Sequence, residues 1–176
     1  MILNERQSRH KAAMTAAQLM MTAARTAPKA KGVDIIEILS VEGDDLIALS
    51  KQMHNYGEQT SRPSFIRDAR NVEHSECVVL IGTRPNPMGL NCGYCGHPTC
   101  ESKPSDEPCA FNSIDVGIAV GSACAMAADC RVDTRVMYSA GLAAQMMGMI
   151  KDCHQVVAIL VSVSSKSPYF DRPSMK

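Results

Sequence analysis

Apolar and polar positions repeat with two different periods along the chain. Over residues 4–24, Ala13, Ala16, Ala17, Met20, Ala23 and Ala24 recur at helical spacing, with Arg9, Lys11 and Gln18 off that stripe. Asn4 followed three residues later by Gln7 has the form of a capping box. The pattern predicts a long amphipathic helix whose small residues let a second helix approach closely, from this chain or from another copy. Pro28 and Gly32 break it. Residues 33–41 alternate in part and are β-branched, which reads as a strand. Gly43-Asp44-Asp45 opens a second helix with acids in its first turn, and Leu46, Leu49, Met53 and Tyr56 continue it until Gly57 ends it. Residues 58–64 read as a loop and 65–72 as a short helical turn.

The second half is more apolar. Residues 77–82 form an unbroken apolar run, the pattern of a strand covered on both faces. Asn112 or Ser113 can cap a helix reaching about Asp129. Its Ile114, Val116, Gly117, Ile118, Ala119, Gly121, Ala123, Ala125 and Ala127 are apolar nearly all round, which predicts a buried helix. A short strand follows within 131–138, then a small-residue helix over 139–149 with Gly148 as its stop, then a β-branched strand over 156–164. No repeat and no linker divides the chain. Helices alternating with buried strands predict a single α/β layered domain over 1–176.

Size and charge narrow the classes. A chain of 176 residues buries roughly 70% of its unfolded surface, so a metal or disulfide is not obligatory for folding. The formal net charge is zero and the pI about 6.9, which offers no electrostatic footprint for nucleic acid. With no Trp, four Tyr and three Phe, base-stacking platforms are not expected. The N-terminus lacks the apolar core of a signal peptide, and no stretch approaches the ~20 apolar residues of a membrane span. The expectation is a cytoplasmic protein with no membrane and no nucleic-acid partner, in a compartment that keeps thiols reduced.

Against that background the stretch 91–112, NCGYCGHPTCESKPSDEPCAFN, stands apart. Cys92, Cys95, Cys100 and Cys109 fall in a C-x2-C-x4-C-x8-C pattern amid Gly and Pro, which suits a chain wrapped around an inorganic group. Zinc sites commonly pair two C-x2-C knuckles, whereas only one is present here. The compact, uneven spacing suits the corners of a 4Fe–4S cluster better, though it is neither of the common ferredoxin spacings. Zinc and a redox thiol system remain the alternatives. Backbone N–H groups near Gly93 and Gly96, together with His97, Arg67 and Arg70, are candidates to stabilise added negative charge. Cys77, Cys124, Cys130 and Cys153 lie in or beside apolar elements and read as small buried hydrophobes. The five histidines are scattered, and no side chain offers itself as a nucleophile or base with a recognisable partner.

The segments ERQSRHKA, AARTAPKAKGVD, RDARNVEHSECVVLIG, GLNCGYCG, CAFNSIDVGIAVGSACAMAADCRVDTRVM and SVSSKSPYFDR together resemble a family of bacterial and archaeal proteins described as containing a ferredoxin domain. CGYCGHPTC is also similar to the CGxCGxxxC opening of the cluster-binding domains in corrinoid iron–sulfur proteins. AARTAPKAKGVDIIEIL and SIDVGIAVGSACAMAADCRVDTRVMYSAG resemble the nitroreductase frame. That resemblance implies a nitroreductase-like α/β/α layered sandwich, a homodimer, with a cysteine-rich loop inserted at 84–111. It also implies flavin mononucleotide (FMN), for whose phosphate Arg25, Lys29, Lys31 and Lys166 are the candidates, since a phosphate needs positive charge. The basic turn departs from the family pattern, with lysines where Ser and Asn are usual.

Three functions follow as expectations. The first is an iron–sulfur redox protein exchanging electrons with a flavin or a partner protein. The second is an FMN-dependent reductase of a small organic molecule. The third is a binding or assembly module stabilised by zinc or a cluster, without redox activity.

Overall fold

The computed structural model describes residues 2–170. Asn4 caps the first helix, α1 (Glu5–Thr26), by accepting a bond from the Arg6 N–H at 3.0 Å. A 3-10 turn at Ala30–Gly32 leads to β1 (Ile36–Val41), then α2 (Gly43–Gln59), α3 (Pro63–Glu73) and β2 (Cys77–Thr83). A long irregular segment follows over 84–109. The chain then forms α4 (Ala110–Asp129), β3 (Asp133–Met137), α5 (Tyr138–Met146) and β4 (His154–Ser162).

The four strands make one antiparallel sheet in the order β1-β2-β4-β3. All seven residues of β2 are buried, because the sheet is covered on both faces. The two-residue period of β2 divides its side chains between two cores. Val78 and Leu80 pack with Leu49 and Met53 of α2, Val72 of α3 and the small residues of α5. Cys77, Val79 and Ile81 pack with Ala17, Met20 and Ala24 of α1 and with Val116, Ala119 and Ala123 of α4. The result is the α/β/α sandwich that the pattern and the resemblance predict.

Several boundaries differ from expectation. Gly57 does not stop α2; it lies inside the helix, where a Cβ would come within 2.8 Å of Ile66 Cγ1, so its absent side chain lets α3 pack closely. The predicted short turn over 65–72 is a full helix because Pro63 stands at its first position, where its missing N–H costs nothing. Gly148 does stop α5: it has φ +67°, and the Met149 and Gly148 N–H groups close back on Ala144 and Gln145.

The larger correction concerns α4. It is not buried all round. Asn112, Asp115, Val116, Ala119, Ala123 and Ala127 face inward, while Ile114, Gly117, Ile118, Gly121 and Ala125 are exposed. The sequence is apolar on both faces, so periodicity could not separate them. By length and composition α4 is also apolar enough to span a bilayer, contrary to the expectation that no stretch is. Here it lies against α1 and the sheet, and Ser122 Oγ donates to the Ala23 carbonyl at 2.8 Å.

Candidate metal centre at the end of the sheet

The irregular segment 84–109 leaves the sheet where β1 begins and β2 ends. A register irregularity between Ile81 and Thr83 opposite β4 marks that corner. The segment's first residue is tied twice: the Arg84 N–H donates to the Ile35 carbonyl at 3.0 Å, and the Arg84 carbonyl accepts from Asn112 Nδ2 at 3.0 Å. Arg84 also forms an ion pair with Glu37 of β1. Cys109 stands at the N-cap of α4 and is buried with Ile35 and Met88 in a small third core, against which Phe111 packs. Ala110 and Phe111, the last two residues of the 84–111 range expected for the cysteine loop, belong to α4.

Cys92, Cys95, Cys100 and Cys109 all line one hollow, with Asn91, His97, Thr99 and Lys103 around them. Cys92 is exposed, Cys95 and Cys100 are half-buried, and Cys109 is buried. The thiols thus run from the surface to the frame. Asn91 has φ +49° and holds Cys100 twice. Its N–H reaches Cys100 Sγ at 3.4 Å, and its Oδ1 accepts from the Cys100 N–H at 2.8 Å. His97 Nε2 meets Glu107 Oε2 at 2.6 Å, drawing the two limbs of the loop together. Outside, Tyr94, 72% exposed, stacks on Phe111 with ring centroids 5.8 Å apart.

Four soft sulfur donors around one hollow can hold an inorganic group, and the Asn91 N–H supplies the kind of outer bond that tunes one. Ligands of a single zinc at ~2.3 Å would stand about 3.8 Å apart. Among the described residues, no three Cys, His, Asp or Glu side chains are grouped to hold one ion.

The other expected donors are placed differently. The Gly96 N–H is taken by the Gly93 carbonyl at 2.9 Å, so it turns the loop rather than facing a sulfur. Arg67 pairs with Asp68 at 2.7 Å beside a separate cavity that Arg135 and Tyr138 also line. Sequence reasoning passed over Asn91 and Lys103. Asn before a Cys reads as an ordinary turn residue, and a lysine among Ser, Pro and Asp reads as solvated.

Cys77, Cys124 and Cys153 fit the hydrophobic reading, packing in or against the two large cores. Burial pushes the Cys77 thiol up to about 12 and the Cys153 thiol to about 11, and it raises Cys124 as well. A thiol held protonated is a poor ligand and a poor nucleophile. Cys130 is half-buried at the C-terminal cap of α4.

Of the four expected phosphate contacts, three surround the α1–β1 connection. Arg25 Nη1 donates to Asp34 Oδ2 at 2.6 Å and to the Ile36 carbonyl at 2.5 Å. Lys29 Nζ donates to the Ala24, Arg25 and Ala27 carbonyls at the end of α1, and desolvation by burial lowers its pKa. Lys31, at φ +57°, reaches across to the Met88 carbonyl of the cysteine loop at 3.2 Å. Nearby, both carboxylate oxygens of the buried Asp115 on α4 accept from the Ala30 N–H, at 3.0 and 3.2 Å. Lys166 follows the far end of β4, where β2 begins, and the tail is held there by Tyr169 OH against Ser75 Oγ at 3.2 Å. Within one chain, Lys166 and the other three stand at opposite ends of the sheet.

Residues 105–172 match a family described as "Uncharacterized protein containing a ferredoxin domain" (DUF2148). The matched segment holds Cys109, α4, β3, α5 and β4. Over 186 aligned positions the chain is 41% identical to an uncharacterised protein of Archaeoglobus fulgidus, covering the whole of both. The fold is similar to that of a nitroreductase with bound FMN from Desulfitobacterium hafniense, at TM-score 0.61 and 14% identity over 86% of this chain and 78% of that one. It is also similar to a putative nitroreductase in complex with FMN from Desulfovibrio desulfuricans (TM-score 0.57, 12% identity, 92% and 80% covered). A BluB-like flavoprotein from Clostridium difficile gives TM-score 0.52 at 16% identity, with 92% and 84% covered. These structural likenesses concern the fold alone. Matched from end to end with its archaeal relative, the chain belongs to that protein's family; its residues 105–172 match the ferredoxin-domain model, and its fold is nitroreductase-like.

Proposed function

We propose that the chain is an iron–sulfur redox protein in which Cys92, Cys95, Cys100 and Cys109 hold a 4Fe–4S cluster. The observation that carries this reading is the convergence of those four thiols on one hollow at the corner of the frame. Such a cluster, when bound, supplies one-electron transfer. The residues of the chain do the rest. Asn91 orients Cys100, Cys109 fixes the centre to the start of α4, and the exposed Cys92 side faces the exterior, where a partner protein could exchange electrons. The eight free thiols suit a reducing, cytoplasmic compartment.

A second reading rests on the FMN bound by two of the similar structures. Here the centre would serve as electron inlet to a flavin that acts on a small organic molecule, since flavins exchange one- and two-electron steps. Lys31 joins the expected flavin side to the cysteine loop through the Met88 carbonyl. Arg25 and Lys29 are already bonded within the chain, so a phosphate would have to displace their carbonyl and carboxylate partners. A homodimer belongs to the same reading: Lys166 of one copy and the α1–β1 turn of the other would then complete a phosphate site that one chain does not.

Anaerobic expression, followed by iron and sulfide analysis, a visible spectrum and flavin extraction, tests both readings. The expected result is about four irons and four sulfides per chain. A colourless protein holding only zinc after reconstitution would overturn the first reading. Absence of flavin from a cluster-loaded protein would overturn the second.

A further inference from the structure

Among the described residues Lys103 is the only lysine or arginine that is buried, at 9% exposure. It lies in the irregular cysteine loop and lines the same hollow as the four thiols. Its ammonium donates to the Pro104 carbonyl at 2.7 Å and the Glu107 carbonyl at 2.5 Å. Both acceptors are neutral. The Glu107 carboxylate is not its partner, being engaged with His97 at 2.6 Å. A cation withdrawn from water without an opposite charge is strongly unfavourable. The four cysteines of the same hollow supply that opposite charge once they bind as thiolates.

We propose that the Lys103 ammonium is the built-in counter-charge of the group held by Cys92, Cys95, Cys100 and Cys109, and that it favours that group's reduced state. The inference rests on the cluster reading above. One-electron reduction adds one negative charge to the thiolate-bound group, with the electron coming from an external reductant. A fixed positive charge on the wall of the same hollow stabilises the product more than the reactant. Lys103 is thus a positioning and tuning residue. Its two carbonyl bonds fix the ammonium to the 103–107 turn.

The full-length protein, reconstituted anaerobically with iron and sulfide, is compared with Lys103→Gln and Lys103→Arg. Gln keeps a donor for the carbonyls and removes the charge; Arg keeps the charge. Each is titrated with dithionite in the presence of mediators while the visible absorbance is followed. Loaded Lys103→Gln is expected to be about tenfold harder to reduce, equivalent to a midpoint about 59 mV lower for one electron. Lys103→Arg should stay within about a factor of two of the parent. Loading by Lys103→Arg but not by Lys103→Gln would also support the proposal, since charge would then be the requirement. An unchanged midpoint in loaded Lys103→Gln overturns it and leaves the cluster reading intact. Failure of both variants to load, beside a parent that loads, overturns it in favour of a purely structural turn. A parent that takes up no cluster overturns the underlying reading itself.

Discussion

Arg131 occupies a backbone position that usually belongs to glycine. It follows the end of α4 with φ +59°, and the Arg131 and Val132 N–H groups close back on the Ala128 and Ala127 carbonyls. Left-handed backbone strains a residue that carries a Cβ, so Arg131→Gly should raise stability by about 0.5–1 kcal/mol in urea unfolding. His10 shows a different kind of single-residue effect. It lies between Glu76 and Glu42, each 3.0 Å from one ring nitrogen, and the Glu76 bond chiefly raises its pKa, against partial desolvation. A raised folded value means stability that is fully present below the unfolded pKa of ~6.5 and lost as pH rises through the folded one. His10→Gln should therefore cost most under mildly acidic conditions, and the gap should close as pH rises. Melting curves across that range check the sign. The effect should stay under about 1 kcal/mol, because His10 is more than half exposed. At this scale the meeting of the four cysteines at one hollow was legible from their spacing, because residues of one short loop stay close together. Asn91, Lys103 and Asp115 were not, because their roles depend on what the fold brings beside them.

Helix α4 carries most of what the elements disclose. Its inward stripe was legible by content but not by face, since Ile114 and Ile118, at 41% and 39% exposure, are as apolar as the buried positions. Helix ends were legible where a glycine or asparagine makes the stop or cap, as at Gly148 and Asn4. They were misjudged at Gly57, because an absent side chain serves close packing as well as termination. The exposed stripe of α4, with Gly117 and Gly121 between the isoleucines, is the surface the proposed homodimer would cover. Ile118→Lys is expected to shift sedimentation from dimer to monomer while leaving far-UV circular dichroism unchanged. A monomer in the parent protein, or a dimer that tolerates the lysine, would remove α4 from the interface.

For the whole molecule, the two large cores and the cysteine loop are separate. Neither large core includes a residue of 84–109, and the loop reaches the frame through a small third cluster of Ile35, Met88 and Cys109. Removing the proposed cluster should therefore loosen the loop without melting the sheet. Protease should cut within 84–109 far faster in chelated than in reconstituted protein, with far-UV circular dichroism nearly unchanged. Global unfolding on chelation would mean that the frame depends on the metal centre after all. The layered sandwich was legible because strand and helix periods alternate clearly. The antiparallel pairing was not, since it is settled by long-range contacts between β1 and β2 and between β2 and β4.

The bond from Asn112 Nδ2 to the Arg84 carbonyl brings the entry and the exit of the cysteine loop to one point. Everything between them departs from and returns to the same peptide group. A loop with a closed neck adds only a slowly growing entropic cost as it lengthens. The segment is in that sense a cassette: its length and contents can change without moving the strand before it or the helix after it. Replacing 86–107 by a short glycine-rich bridge should yield a folded, metal-free frame, and the same neck should accept cysteine loops of other spacings.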